Sequence, residues 1–189
     1  MAGIAFGNTR IGCVNKDPYS AQNIRSCPVG TILADGSSLI CKAGGVAWFV
    51  APASSQISLE WVNGTYNNYL PGRDRNQPSL VICCTSEWPP TSTCLSDALS
   101  PRFYYTASQW FIPTYGQLLD PGYVCRSRWN SYCNVNYWSA TEGRDFYFYN
   151  VYSNPSEGTA CAVNFSDGAT TAPCKACPQC VRAFKCITY

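Results

Sequence analysis

The stretch Gly44-Gly-Val-Ala-Trp-Phe-Val-Ala-Pro52 gives the strongest indication of the fold. Its centre, Val46-Ala-Trp-Phe-Val50, is a continuous apolar run bounded by a glycine pair and by Ala-Pro, which is typical of a buried β-strand. The apolar stretch around it, residues 43–53, is too short to cross a bilayer, because a spanning helix needs about 20 residues. The sequence therefore predicts a packed domain with a buried strand at this point.

Further strands and one short helix are predicted on either side of this strand. Residues 145–152, 159–165 and 181–187 carry aromatic, β-branched or alternating patterns that are typical of strands. Thr114 follows Pro113, and Gln117 comes three residues after it, which is the spacing of a capping box. We therefore expect a helix to begin at Thr114.

The composition is unusual in its cysteine, histidine and charge content. The 189 residues include 13 cysteines and no histidine, and charged residues make up 13%. The absence of histidine excludes a Ser-His-Asp triad, a Cys-His dyad and any His-ligated metal or haem. A formal net charge of +2 gives little attraction for nucleic acid, so we expect no nucleic-acid partner. The odd cysteine count leaves at least one thiol outside any intrachain disulfide.

Five segments resemble, in their order and spacing, the bacterial and phage branch of the C-type lectin-like fold. They are similar to the C-terminal domain of the Legionella collagen-like adhesin, to Fibrobacter paralogous-domain proteins and to phage tropism determinants. The resemblance covers about residues 41–189. The segments are the stretch at 44–52, Gln109-Trp-Phe-Ile-Pro-Thr-Tyr-Gly-Gln-Leu118, Tyr137-Trp-Ser-Ala-Thr-Glu142, Val163-Asn-Phe-Ser-Asp-Gly168 and Val181-Arg-Ala-Phe-Lys185.

The resemblance implies an α+β domain with a twisted antiparallel sheet, few short helices and long loops. We expect residues 41–189 to form this domain and residues 1–40, which the resemblance does not cover, to form an N-terminal attachment arm. The chain departs from the family in its many cysteines, and the helix after Pro113 is expected to be short because Pro121-Gly122 follows. Disulfides are therefore expected to staple the loops and the arm.

The cysteines are interpreted as disulfide partners whose pairing the sequence leaves open. Cys174, Cys177 and Cys180, with Cys186 beyond them, have a spacing by which four thiolates could also hold zinc or an iron–sulfur cluster, but a disulfide-stapled loop is the favoured interpretation. Adjacent strand residues point to opposite faces, so Cys83 and Cys84 are expected to bond different partners. The candidates are Cys13, Cys27, Cys41, Cys83, Cys84, Cys94, Cys125, Cys133, Cys161, Cys174, Cys177, Cys180 and Cys186.

A lectin-type calcium site and any other cofactor are not expected. Gln77-Pro78 is followed by Ser79, and Trp129-Asn130 by Ser131, whereas vertebrate lectins place calcium ligands at the third position of such motifs. The 11 carboxylates of the chain also offer few ligands for a hard cation.

The best binding candidate is the segment at residues 126–138, which mixes Tyr, Trp, Ser, Asn and Arg as antibody paratopes do. In phage tropism determinants, which the chain resembles, the matching region displays the receptor-binding face. Tyr137 and Trp138 are expected to be core residues, and Trp129, Asn130, Tyr132, Asn134 and Asn136 to be exposed. The predicted ligand-binding residues are Arg126, Trp129, Asn130, Tyr132, Asn134, Asn136, Arg144, Tyr147 and Tyr149.

The predicted function is that of a non-enzymatic virion surface protein, a phage fibre tip, spike or head decoration, which binds a host-surface glycan or protein. The cysteine content indicates an oxidising environment, yet residues 1–10 lack the pattern of an export signal, and a virion protein reconciles the two. The expected partners are other virion subunits, bound through residues 1–40, and a second copy of the chain. The alternatives are a structural capsid-cementing or filament subunit and a bacterial adhesin or pilus-tip domain at the cell surface. An enzyme of the formylglycine-generating type shares the fold, but its motifs are not recognised here.

Overall fold

The computed structural model describes residues 17–61, 110–143 and 159–189, and these residues form a mixed α+β structure with few short helices. The first element, helix α1 (Ala21–Ser26), begins at Ser20, whose side chain accepts a hydrogen bond from the backbone N–H of Asn23. The α+β class predicted from the sequence is confirmed. The predicted strand at residues 145–152 lies outside the described residues.

A sheet of three strands forms from the described residues, in the order β1-β2-β8. Its strands are β1 (Ser38–Ala43), β2 (Val46–Val50) and β8 (Phe184–Thr188), and β2 pairs antiparallel with both neighbours. Gly44 and Gly45 join β1 to β2 with positive φ angles of 56° and 76°, which glycine adopts without strain. The buried strand predicted at residues 46–50 is confirmed.

A second sheet contains five described strands in the order β3-β7-β4-β5-β6. They are β3 (Ile57–Leu59), β4 (Asn136–Glu142), β5 (Ala160–Asn164), β6 (Thr170–Thr171) and β7 (Gln179–Val181). The pairing of β4 with β7 is parallel, so this sheet is mixed and not purely antiparallel as expected. The strand predicted at residues 159–165 is confirmed as β5.

The single strand predicted at residues 181–187 is wrong, because the chain leaves one sheet and enters the other at Arg182-Ala183. The backbone N–H of Ala51 donates to the carbonyl of Ala183, and Arg182 Nε donates to the carbonyl of Ala51. These bonds hold the junction between the two sheets against the end of β2. An alternating pattern cannot distinguish one strand from two when both segments are half buried.

A helical segment leads from Thr114 towards β4. Helix α2 (Tyr115–Gln117) has the predicted capping box, in which Thr114 and Gln117 exchange side-chain and backbone hydrogen bonds. A π-helical segment (Leu118–Tyr123) follows, and it is interrupted at Asp120, just before the cis Asp120–Pro121 bond. A 3-10 turn (Arg126–Arg128) is the last helical element before β4. The predicted short helix is therefore confirmed.

Three buried clusters hold these elements together. One is centred on Trp61, Trp138 and Val181, a second on Phe111, Tyr137, Phe165 and Phe184, and a third on Ile24, Leu33 and Phe49. The third cluster is built partly from residues 17–40, and β1 crosses the expected boundary at residue 40. The described part of the expected arm is thus packed into the domain. No described helix is long and apolar enough to cross a membrane.

Candidate functional site

The loop at residues 123–135 connects the helical segment to β4 and contains the centre of the predicted binding segment. It is fixed to β1 at two points. Arg128 Nη1 donates to the carbonyl of Ile40 at 3.0 Å, and the backbone N–H of Asn130 donates to Ser38 Oγ at 2.9 Å. The 123–135 loop therefore has a defined orientation on the sheet of β1, β2 and β8.

Trp129 is the buried base of the 123–135 loop, and its predicted exposure is wrong. Its side chain is only 6% exposed, and its indole lies 4.9 Å from the ring of Phe165 and 5.7 Å from that of Tyr137. Burying an indole removes a large apolar surface from water, and this gain in stability accounts for its position in the core instead of on the surface. Tyr137 and Trp138 are buried as predicted, each 1% exposed.

The residues that follow Trp129 form an exposed rim, of which Tyr132 is the half-buried aromatic member. Ser131 has a φ of 106°, a conformation that is strained for a residue with a side chain. Asn136 is half buried at the start of β4, where it pairs with Asn164 of β5. The exposed members are Asn130, Ser131, Cys133, Asn134 and Val135.

Arg126 and Tyr123 form the other edge of the 123–135 loop. The guanidinium carbon of Arg126 lies 3.8 Å from the ring centroid of Tyr123, and Arg126 Nη1 donates to the Tyr123 carbonyl at 3.1 Å. This stacked pair presents a planar cation beside the exposed Val124. The predicted site residues Arg144, Tyr147 and Tyr149 lie outside the described residues.

Arg182 contacts the 123–135 loop from the protein interior. It is 2% exposed, its Nη1 donates to the carbonyl of Ser131, and its guanidinium carbon lies 5.3 Å from the ring centroid of Trp129. Burial lowers the pKa of Arg182 to about 10. The bond from Arg182 holds the strained Ser131 in place, so this buried cation sets the shape of the rim.

A second support joins the loop to Tyr137 and Gln56. The backbone N–H of Cys133 donates to the Tyr137 hydroxyl at 2.8 Å, and that hydroxyl donates to Gln56 Oε1 at 2.5 Å. Gln56 Nε2 in turn donates to Cys133 Sγ at 3.0 Å, which closes the network. Burial raises the pKa of Tyr137, so its hydroxyl remains a donor throughout the physiological range.

The cysteines of the described residues cluster partly in pairs. Desolvation and a neighbouring cysteine raise the pKa of three of them: Cys125 beside Cys41, Cys180 beside Cys133 and Cys177 beside Cys174. These six cysteines are free thiols in the structure, so disulfides between them stay a prediction. Within residues 17–61, 110–143 and 159–189, no group of three or more potential ligands is placed to hold a metal ion. Candidates Cys13, Cys83, Cys84 and Cys94 lie outside the described residues, and the pairs of Cys27, Cys161 and Cys186 stay a prediction.

Sequence reasoning missed the supporting residues Arg182, Gln56 and Tyr123. Arg182 stood inside a recognised segment, Val181-Arg-Ala-Phe-Lys185, and a lone arginine in an apolar strand pattern is a usable signal because a buried cation needs partners. Gln56 carries no such signal, since its contacts come from residues far away in the sequence, and nothing in the local sequence marks Tyr123 as the ring on which Arg126 stacks. The chain matches no protein-family model and no curated protein.

Proposed function

We propose that this chain is a non-enzymatic binding module on the surface of a virion, and that the rim of the 123–135 loop binds a carbohydrate on the host cell. The observation that carries the proposal is the contrast between a rigid base and an exposed polar rim in one loop. Trp129 is 6% exposed and fixed from below by Arg182, whereas Asn130 and Asn134 are exposed. Rigid aromatic support combined with adaptable polar groups is typical of recognition loops.

A carbohydrate suits the chemistry of the rim. The amides of Asn130 and Asn134 each offer two donors and an acceptor, which match neighbouring hydroxyl groups of a sugar ring. The half-buried ring of Tyr132, which lies 6.4 Å from the indole of Trp129, offers an apolar face for the C–H groups of the sugar. Arg126, stacked on Tyr123, adds a cation that favours acidic sugars.

We also propose that the fold is C-type lectin-like, of the bacterial and phage branch. The segments that carry the resemblance are neighbours in space: β2 pairs with β8, and β4 pairs with β5. Phe111, from another of these segments, bridges to Phe184 of β8. The few short helices and the long loop agree with what that family implies, whereas the sheet of β3 to β7 departs from it in being mixed.

The virion location is supported by the cysteine content, because disulfides persist in particles outside the cell. Attachment to other virion subunits is proposed for the N-terminal region, and the packing of residues 17–40 in the domain makes residues 1–16 the part to test. Mass spectrometry of purified particles tests the location. The chain must be found there at the abundance of a structural component, and its absence would contradict the proposal.

A glycan array tests the binding function. We expect the fluorescently labelled chain to bind a subset of bacterial-surface glycans, and Tyr132→Ala and Asn134→Ala to reduce the signal at least about tenfold, as loss of a central contact does. Thr188→Ala, at an exposed position of β8, is the matched control and should bind as the parent chain does. If the folded parent binds no glycan, or if all three variants bind equally, the proposal fails.

A further inference from the structure

Two pairs of neighbouring cysteines in this chain come from distant parts of the sequence. Cys133 of the 123–135 loop and Cys180 of β7 both lie near Gln56, and Cys125 at the other end of that loop lies in the apolar cluster against which Cys41 of β1 packs. A third pair, Cys174 and Cys177, lies within one turn. Cys125 therefore precedes the exposed rim, and Cys133 lies within it.

The first pair is defined by a shared partner. Gln56 Nε2 lies 3.0 Å from Cys133 Sγ and 3.8 Å from Cys180 Sγ, so both sulfurs contact the same amide nitrogen. Cys180 pairs in register with Tyr137, whose hydroxyl accepts from the backbone N–H of Cys133. The backbone at Cys180 is thus held by strand pairing and the backbone at Cys133 by a hydrogen bond, which keeps the two thiols close to each other.

The second pair is fixed by Arg128. Its Nη1 lies 3.0 Å from the carbonyl of Ile40, the residue before Cys41, and 3.6 Å from Cys125 Sγ. Cys125 is buried and Cys41 half buried in the same cluster of apolar residues. Both are free thiols in the structure.

The third pair is local. The backbone N–H of Cys177 donates to the carbonyl of Cys174 at 2.8 Å, which closes a turn between the two cysteines. Both cysteines are exposed, whereas Lys175 between them is buried with its Nζ 5.1 Å from the ring centroid of Trp61.

We propose that these six cysteines form three disulfides, Cys41–Cys125, Cys133–Cys180 and Cys174–Cys177. With a small-molecule disulfide such as oxidised glutathione as oxidant, the thiolate of one cysteine attacks the oxidant and releases one reduced thiol. The second cysteine then attacks this mixed disulfide and releases the other reduced thiol. The protein pair gives up two electrons and two protons, and the oxidant becomes two molecules of reduced thiol. Exposed Cys133 attacks first, because half-buried Cys180 is less accessible.

The pairing has a structural consequence. The first two disulfides would tie residue 125 to the sheet of β1, β2 and β8, and residue 133 to the sheet of β3 to β7. The 123–135 loop would then be clamped at both ends to different sheets, so its rim would keep one shape outside the cell. This inference does not depend on carbohydrate binding, and its test needs no ligand.

Peptide mapping tests the connectivity. The full chain, purified reduced and folded, is incubated with oxidised and reduced glutathione, blocked with iodoacetamide and digested with trypsin. Cys177 and Cys180 share the tryptic peptide 176–182, and we expect it to be linked to the Cys133 and Cys174 peptides, with fragmentation assigning each bond. The peptide of Cys41 should be linked to that of Cys125. The same oxidation in 8 M urea is the control and should give mixed pairings.

Any other dominant partner for these cysteines, including one of the cysteines at 13, 83, 84 or 94, would overturn the proposal, as would six alkylated thiols after oxidation. Limited trypsin digestion gives a second measurement, since Arg128 is an exposed cleavage site in the loop. We expect cleavage after Arg128 to be at least about tenfold slower in the oxidised chain, because local opening is suppressed. Cys133→Ser should abolish this protection and Cys174→Ser should not; equal cleavage of oxidised and reduced chain would contradict the clamp.

Discussion

The guanidinium of Arg182 lies 5.3 Å from the ring centroid of Trp129 and donates a hydrogen bond to the carbonyl of Ser131. Arg182 belongs to the junction between β7 and β8, whereas Trp129 and Ser131 belong to the 123–135 loop. One buried cation therefore connects the meeting point of the two sheets with the loop that presents the exposed rim.

Replacement of Arg182 by Met should destabilise the fold and disorder the rim. The carbonyls of Ala51 and Ser131 lose their charged donors, and a buried hydrogen-bonding group left without a partner costs about 1–3 kcal/mol. We expect the free energy of unfolding, measured in urea, to fall by about 2–4 kcal/mol. Arg25→Gln, at an exposed position of α1, should change it by less than about 0.5 kcal/mol. Equal effects of the two changes would contradict the supporting role of Arg182.

Trp129→Ala should act on stability, because the indole is buried among Tyr137, Phe165 and Phe184. Truncating a buried Trp to Ala costs about 3–5 kcal/mol, and we expect this loss in urea unfolding. Asn134→Ala, only a few residues further on and exposed, should leave the unfolding free energy within about 0.5 kcal/mol of the parent. A stable Trp129→Ala variant would mean that the indole is not the base of the loop.

Gly168→Ala should displace Tyr123 and with it the stacked Arg126. A Cβ atom at Gly168, whose φ is 80°, would lie 2.5 Å from the ring of Tyr123, closer than packing allows. Gly44→Ala is the matched control: its φ is 56°, but nothing lies within 4 Å of the added atom. We expect about 1–2 kcal/mol of destabilisation at Gly44 from backbone strain alone, and at least about 1 kcal/mol more at Gly168. Thermal unfolding of both variants measures these losses. Equal losses in the two variants would refute the contact with Tyr123.

The reduced chain should lose stability as the pH rises from 9. Burial raises the pKa of Cys180 to about 11 from its ordinary value of 9.0, so the folded chain keeps a proton that the unfolded chain has released. The unfolding free energy therefore falls between pH 9 and 11 and is unaffected by this group below pH 9. Urea unfolding at pH 8, 9 and 10 should show a smaller decline in reduced Cys180→Ser. An identical decline in that variant would exclude Cys180 as a source.

The same experiment separates Cys180 from Cys186, whose pKa burial also raises to about 11. Oxidation should remove the contribution of Cys180, because a disulfide sulfur carries no proton. Reduced Cys186→Ser should therefore show a shallower pH dependence than the reduced parent chain.

The fold elements that depend on local sequence could be predicted, and those that depend on distant contacts could not. The apolar run at β2 and the capping box at Thr114 each have a local physical cause, and both are confirmed. The break between β7 and β8 is set by Arg182, which reaches Ala51 and Ser131 across the fold, and no local pattern marks it. The parallel pairing of β4 with β7 is likewise a consequence of topology.

At the candidate site, composition pointed to the segment at residues 126–138 but could not distinguish its buried side chains from its exposed ones. Trp129 and Tyr132 are three residues apart in a segment without strand or helix periodicity, so neither pattern predicts which one faces the core. The indole of Trp129 fills the space between Phe165 and Phe184, residues that lie at least 36 positions away in the sequence. The rim of the loop could therefore be assigned only from the packing.

The most direct test of the central claim is an NMR titration of the isotope-labelled chain with the glycan that gives the strongest signal on the array. If the rim of the 123–135 loop binds carbohydrate, the largest backbone amide shift changes will fall at Asn130, Ser131, Asn134 and Val135, with small changes in β2 and α1. Largest changes in β2, β8 or α1, with the 130–135 amides unmoved, would contradict the claim.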